Sequence, residues 1–455
     1  MSRIPLQYQS LKAVLLYMEA NVRFQISQRM PSIRDVEKLV PLKINRLEFA
    51  YYEMTINDTV YKLRIHRHYF SGKTPKRVKE QNEGGIIDYD EFRFELDNGN
   101  SVLFFGDVLL NNETPPIEMG HDDVETEARW RRILRCRQKA LELRAELKSK
   151  GQTYKDYLDN VPQNPDDPDE EEVREIIHYD DETLRSLIEM WMEKLMPFDW
   201  RRSNTKPPFT CYFRLTIKKG KNAKVQRYKY NKRIYEAMKH LNQVIFGGRP
   251  MPIFVEHFDT DDLDFCSTLR VPIGFSLRVK ALEIFPFCED FGNLNRIVEN
   301  SENLDTVWLS YDGFFALPPA NDLTQNSRKL VISSSELDIQ DVYESIGDFQ
   351  NPLICFNITA QEYTAQGYLR LIQHWSNENR SIGSKLYIGT NERETAEEVL
   401  QRVSSHYDNA PITERCVTVN ISESKKLEIF YEPFEEKHVR NLQSNWIMKM
   451  RIMEN

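Results

Sequence analysis

Cysteine is sparse in this chain, six in 455 residues, and Cys136, Cys211, Cys266, Cys288, Cys355 and Cys416 are scattered along it. No two stand at the CxxC or similar spacing of a zinc site or redox pair, so they read as reduced thiols acting as small core residues. Glycine is also scarce, at 17, which argues against glycine-rich loops built to hold phosphates. No apolar run approaches the roughly 18 residues a membrane span requires. The opening Met1-Ser2-Arg3-Ile4-Pro5 has no long apolar stretch and hence no signal-peptide character. The expected compartment is cytosol or nucleus, where sequons such as Asn357-Ile358-Thr359 are accidental. An excess of positive charge is missing as well: the net charge of −9 gives no global pull toward nucleic acid or acidic lipid. Catalytic signatures are absent, with no G-x-S-x-G, H-E-x-x-H or G-x-x-x-x-G-K-[ST] pattern. His66 and His68 share one face of a strand but lack a nearby acid pair or third ligand. The acidic run Asp259–Asp264 fits no EF-hand and reads as a solvated loop. No catalysis, cofactor, metal or membrane contact is expected.

What is present is the balance of a folded protein, 40% hydrophobic and 29% charged. The length exceeds that of one ordinary core, so two or three structural units are expected. Within residues 1–43, three short helices are predicted over 8–40: Leu11, Val14, Leu15 and Met18 form one apolar stripe, Val22 and Ile26 a second, and Ile33, Val36 and Leu39 a third. Over 44–110 the period changes to two, and Asn57-Asp58 lies between Met54/Ile56 and Tyr61/Leu63/Ile65 as a hairpin turn should. A small antiparallel β unit is predicted there. Residues 111–205 read as a charged helical insertion, with helices over Val124–Lys150 and Asp181–Met196. The acidic, proline-bearing run Asn160–Glu172 between them is a predicted flexible linker.

The segment 206–435 opens with a strand over Cys211–Ile217 and a helix over Tyr230–Ile245 that Gly247-Gly248 ends. Apolar-x-apolar strand cores then start at Leu282, Val307, Leu330 and Ile354, spaced 25, 23 and 24 residues, and continue at Leu386 and Val417, spaced 32 and 31. Helical signals fall between some of them, such as the capping box Thr359-x-x-Glu362 before Tyr368, Leu369, Ile372 and Trp375. A strand, a helix and a return at this period is the arithmetic of a leucine-rich-repeat-like solenoid. The Asn expected after each strand is mostly missing, so an ordinary βαβ domain is the alternative. Cys416–Val419 and Leu427–Tyr431 flank a polar turn and predict a terminal hairpin; residues 436–455 are taken as a helical tail. The fold class is therefore mixed, α+β or α/β.

Two surfaces are candidates for binding. The intervening residues of the repeated strands share one face, and on it Glu283, Phe285, Trp308, Cys355 and Tyr387 are the expected contacts for a protein target; the alternative is that a helix covers them. The run 201–233 holds twelve Lys/Arg and no Asp/Glu, interleaved with Phe209, Tyr212, Phe213, Tyr228 and Tyr230. That composition could bind nucleic acid, or it is a solvated strand-turn-strand offsetting the acidic linker before it.

Pro5-Leu6, Leu11, Val14-Leu15, Met18 and Arg23-Phe24-Gln25-Ile26-Ser27 together resemble an F-box. The wider run Pro5–Leu42, the turn Thr55-Ile56-Asn57-Asp58-Thr59, the helix end Val244-Ile245-Phe246-Gly247-Gly248-Arg249 and Leu369-Ile372-x-x-Trp375 are similar to a large, nematode-expanded family. Its members pair an F-box-like N-terminus with an F-box-associated domain of unknown function. The resemblance implies that Pro5, Leu6, Leu11, Val14, Leu15 and Met18 dock the Skp-type adaptor of a cullin ubiquitin ligase, while the C-terminal domain binds a protein target. The 111–205 stretch departs from that pattern, being longer and more charged. The alternative from the residues alone is that the N-terminal stripe packs on the chain's own β unit.

Overall fold

Each apolar stripe of the N-terminus becomes one short helix: α1 (Tyr8–Tyr17), α2 (Ala20–Arg29) and α3 (Arg34–Leu39). The Glu19 carboxylate caps α2 by accepting from Val22 N at 3.1 Å, and Pro31 opens a 3-10 turn before α3. The structure, a computed structural model, describes residues 7–96, 102–110, 124–160, 167–260, 268–284, 291–299, 303–311, 322–334, 342, 346–358, 364–378, 380–408, 410–434 and 444–455.

Alternation then builds β1 (Lys43–Ala50), β2 (Glu53–Ile56) and β3 (Thr59–Tyr69) as an antiparallel meander. Asn57 turns it at φ 57°, a left-handed conformation that Asn tolerates. After α4 (Lys76–Gly84) come the hairpin β4 (Asp88–Tyr89) and β5 (Glu95–Leu96), then β6 (Val108–Leu109). The insertion is helical: α5 (Val124–Ser149), α6 (Tyr154–Asn160), α7 (Pro168–Ile176) and α8 (Asp181–Ser203). It is followed by β7 (Phe209–Lys219), β8 (Asn222–Lys229), α9 (Ile234–Phe246), β9 (Ile253–Asp259) and β10 (Thr268–Leu269). The C-terminal half supplies β11 (Leu277–Ile284), β12 (Thr306–Tyr311), α10 (Asp322–Gln325), β13 (Lys329–Ser334), β14 (Leu353–Ile358), α11 (Ala365–Asn377), β15 (Lys385–Thr390) and α12 (Arg393–His406). Last come β16 (Cys416–Asn420), β17 (Lys425–Pro433) and β18 (Trp446–Glu454).

One mixed sheet of fourteen strands unites these segments, in the order β16-β17-β18-β15-β14-β13-β12-β11-β9-β1-β2-β3-β7-β8. Every pairing from β15 to β1 is parallel, and both flanks are antiparallel. The segments 44–110 and 206–435 thus share a sheet, through β1 on β9. The regularly spaced strand cores do stack as parallel neighbours, but the sheet continues past them on both sides, so they are part of one large mixed sheet and not a free-standing solenoid. Leu282, Leu309, Ile332, Phe356 and Ile388 lie in one continuous core with Met238 of α9, Trp375 of α11 and Val399 of α12. Ala20 and Phe24 of α2 join the same core, with the Phe24 ring edge-on to Phe246 at 6.3 Å.

Three local expectations change. In the described part of the tail, residues 444–455, a strand replaces the expected helix: β18 inserts between β15 and β17, and Ile447, Met448, Met450 and Ile452 are buried, so pairing on both sides overrides the helical preference of Met. The run 160–172 is not all linker: Asp167 caps α7, Pro168 suits its first turn, and Val173 and Ile176 pack on Cys136, Ala140 and Leu184. Helix α8 runs past Met196 with Pro197 inside it, because Phe198 packs on Phe94 and Trp130 and offsets the backbone bond that proline removes.

A buried ionic cluster ties the N-terminal helices to α9. The Arg23 guanidinium pairs with Glu37 at 3.0 Å and donates to Pro41 O at 2.7 Å and Val40 O at 2.9 Å. Arg249, just beyond α9, pairs with the same Glu37 carboxylate at 2.7 Å. Beside them Lys38 Nζ donates to Ile245 O at 2.8 Å. Burial, then the charge of Arg249, pulls the Lys38 ammonium down to about 8. A lysine lowered in the fold binds fewer protons there than in the unfolded chain, so its contribution to stability rises as pH climbs from about 8 toward its ordinary value. The stability difference between wild type and Lys38→Met, followed by urea midpoints from pH 7 to pH 10, should therefore grow in favour of wild type with pH. A pH-independent difference would disprove the shift.

Candidate functional site

The face of the sheet opposite the main core is organised by a shared break in alternation. Along β1, β9 and β11 the buried residues step by three instead of two, from Ile44 to Leu47, Val255 to Phe258 and Val279 to Leu282. These positions are in register, Ile44 with Val255 and Val279, and Leu47 with Phe258 and Leu282. The step turns Glu48, Asp259 and Glu283 onto the face opposite the core. They begin a row that register continues through Trp308, Val331, Cys355 and Tyr387 to Lys449.

Glu283, Trp308, Cys355 and Tyr387 are therefore brought together, while Phe285 lies outside the described residues. Their surroundings differ. His257 Nε2 meets Glu283 Oε2 at 2.8 Å, and the His257 ring lies 5.3 Å from that of Trp308. Lys449 sits 4.8 Å over the Tyr387 ring and pairs with Glu432. Trp308 and Tyr387 are half-buried. Cys355 is only 1% exposed, and burial pushes its thiol up to about 12. It forms a small apolar cluster with Val331, flanked by Trp308, Leu353, Tyr387 and Phe434, so it supports the two aromatic rings and offers no contact surface of its own.

Sequence reasoning missed the partners at the acidic end of the row. Asp259 closes β9 and is buried, not part of a solvated loop; Arg46 holds it at 2.8 Å and reaches Glu48 at 3.0 Å. Ligand atoms of His257, Asp259 and Glu283 lie within 4.8 Å of one another, a donor set suited to a divalent ion. Arg46 already supplies the positive charge to Asp259, so a cation would have to displace it. The signal that could have exposed this group is the three-residue step itself, which a strict period of two conceals.

At the N-terminus, Pro5 and Leu6 lie outside the described residues. The stripe chosen from spacing is turned largely inward: α1 packs on α3, Leu15 is 1% exposed, and Leu11 and Met18 are half-buried. Val14, by contrast, is 45% exposed and Tyr17 is 88% exposed. Tyr8, Leu16, Val22, Met30 and Leu39 also reach solvent, giving the first three helices an outward apolar surface.

The basic run becomes the hairpin β7–β8 at one edge of the sheet. Most of its aromatics are engaged within the chain. Phe209 and Phe213 are buried, Tyr230 donates to Asp88 Oδ1 at 2.7 Å, and Tyr212 stacks on His66 at 4.7 Å beneath Arg227. Lysines on an exposed edge strand discourage pairing with another chain.

No helix among the described residues is long and apolar enough to cross a membrane. No curated protein and no solved structure matches the chain. Residues 233–392, which run from the residue before α9 to the residue before α12 and enclose β9 and the parallel series β11–β15, match the family described as Domain of unknown function (DUF3557).

Proposed function

We propose that this chain is a non-catalytic receptor, a substrate-recognition subunit of F-box type. In this reading α1–α3 dock the Skp-type adaptor of a cullin ubiquitin ligase in cytosol or nucleus, and the face of the sheet opposite the main core binds a protein target. The observation that carries the reading is the concentration of exposed apolar side chains on the first three helices, Val14, Leu16 and Tyr17 on α1 foremost, since concentrated apolar surface marks an interaction site. The sheet face supports it. On that face Phe254 is exposed and Trp308 and Tyr387 are half-buried, beside Val331 and Cys355, which are buried, so the surface offered is that of the aromatic side chains. The parallel series would serve as a leucine-rich-repeat-like array does, each strand adding one position to a recognition row. A second reading, an interaction scaffold that needs no adaptor, is favoured by the ties of Arg23 and Arg249 to Glu37, which make α1–α3 part of the domain.

Co-purification with the Skp-type adaptor separates the two. Substituting Leu15 would unfold the segment, because it is buried, so the informative change is Val14→Asp with Tyr17→Asp. The double variant should keep the wild-type circular dichroism and lose the adaptor entirely. A wild-type chain that never co-purifies with the adaptor rejects the F-box reading and leaves the scaffold.

A further inference from the structure

A cavity of about 280 Å³ opens where β3, the β4–β5 hairpin, α4 and α8 meet. That is close to the lower end of the ~300–1,000 Å³ typical of small-molecule pockets. Its walls combine aromatic rings, Tyr89, Trp130 and Trp200 among them, with aliphatic side chains and the charged Glu95, Glu193 and Lys194. Gly85 forms part of the floor against β3: Ile65 N donates to Gly85 O at 2.6 Å, and a Cβ at Gly85 would lie 2.3 Å from Ile65 O.

Three guanidiniums reach this space. Arg67 is satisfied, since it pairs with Glu193 and donates to Gln81. Arg77 and Arg93 are not: Arg77 Nη1 and Arg93 Nε are buried with no hydrogen-bond partner among the described residues, and no described carboxylate pairs with either side chain. Other arginines of this fold, such as Arg64 and Arg249, also keep one such nitrogen, but Arg77 and Arg93 turn theirs to a cavity. Arg93 is also held at φ 73°, a conformation uncommon outside glycine. The strain persists because Asp90 closes the hairpin around it, with Asp90 Oδ1 accepting from Phe94 N at 2.8 Å. The Arg93 guanidinium is thereby placed 5.5 Å over the Phe209 ring. Strain of this kind gathers at ligand clamps.

We propose that this cavity binds a small organic anion with an aromatic body, the rings lying among Trp130, Trp200 and Tyr89 and a phosphate or carboxylate meeting Arg77 and Arg93. Guanidinium forks suit either anion. The site is independent of the receptor reading, since none of its residues lies on α1–α3 or in the Glu48–Lys449 row.

Calorimetric titration of the full chain tests it, with 1-naphthyl phosphate, 1-naphthoate, neutral 1-naphthol and inorganic phosphate as probes. One or both naphthyl anions should bind with one-to-one stoichiometry, and at least tenfold more tightly than naphthol or phosphate alone; which of the two binds better identifies the head group. Arg77→Gln and Arg93→Gln should each weaken the preferred anion about tenfold, as loss of one charged hydrogen bond does, while leaving naphthol affinity and the unfolding temperature unchanged. Trp130→Phe should weaken every naphthyl probe alike. The proposal fails if no probe binds, if naphthol or phosphate alone binds as well as the anions, or if neither arginine substitution alters anion affinity.

Discussion

Ile332→Asp should unfold the whole sheet, not one strand of it. Ile332 is completely buried in β13 and lies in register between Leu309 of β12 and Phe356 of β14. An aspartate there would lie in the apolar core, among neighbours such as Leu309 and Phe356. Burying an unpaired carboxylate is among the few changes expected to exceed ~4 kcal/mol, which is most of the ~5–15 kcal/mol stability of an ordinary domain. Because the core is continuous from Phe24 to Ile452, the damage should spread to strands distant in sequence. Circular dichroism should show loss of structure, and proteolysis should cleave 43–69 as readily as 416–454. Trp308→Ala is the control. Its side chain is on the other face and half-buried, so the fold should persist; under the proposed receptor function, capture of a protein target should weaken. An Ile332→Asp chain that melted within a few degrees of wild type would mean that its side chain escapes the core.

The parallel series could be read from the sequence because its strands are short, apolar at alternate positions and evenly spaced. Leu282, Val307, Leu330 and Ile354 announce themselves by apolar neighbours two residues on. What surrounds the series could not be read in the same way. β18 carries Met448, Lys449 and Met450, a composition at home in a helix, and only its two strand partners decide otherwise. The three-residue step in β1, β9 and β11 escapes any fixed period, and it is the step that brings Glu48, Asp259 and Glu283 into one row. On α1 the spacing of Leu11, Val14, Leu15 and Met18 defined a stripe that the fold splits, Leu15 inward and Val14 outward, because spacing carries no sign: it cannot tell whether a side chain faces the chain's own helices or an outside partner. The cavity at Arg77 and Arg93 joins segments more than a hundred residues apart, so no local pattern could mark it.

The same limit hid Glu37, where a second large loss is expected. In sequence it sits between Val36 and Lys38 and looks like one more charge on an amphipathic helix; in the fold it is completely buried between Arg23 and Arg249. Glu37→Gln keeps the shape and one acceptor oxygen but removes the negative charge that balances two buried guanidiniums, with the Lys38 ammonium close by. Breaking a buried ion pair by removing one partner costs about 3–5 kcal/mol, and this carboxylate serves two partners. Arg249→Met should cost less, because Glu37 keeps Arg23. Arg23→Met should fall nearer to Glu37→Gln, since Arg23 also satisfies the carbonyls of Pro41, Val40 and Glu37 itself, and unpaired buried carbonyls carry their own penalty. Urea unfolding should therefore rank the variants Arg249→Met, Arg23→Met, Glu37→Gln in order of increasing loss. Hydrogen exchange should locate the damage: in Glu37→Gln, amides of α1–α3 and of the Asn57 turn should exchange first, because that turn is held to the helices by Asn57 Nδ2 donating to Glu19 at 2.6 Å and Asn21 Nδ2 donating to Ile56 O at 2.9 Å. Exchange that rose equally across β12–β15 would show that the cluster supports the whole sheet and does not act as the tie between the N-terminal helices and α9.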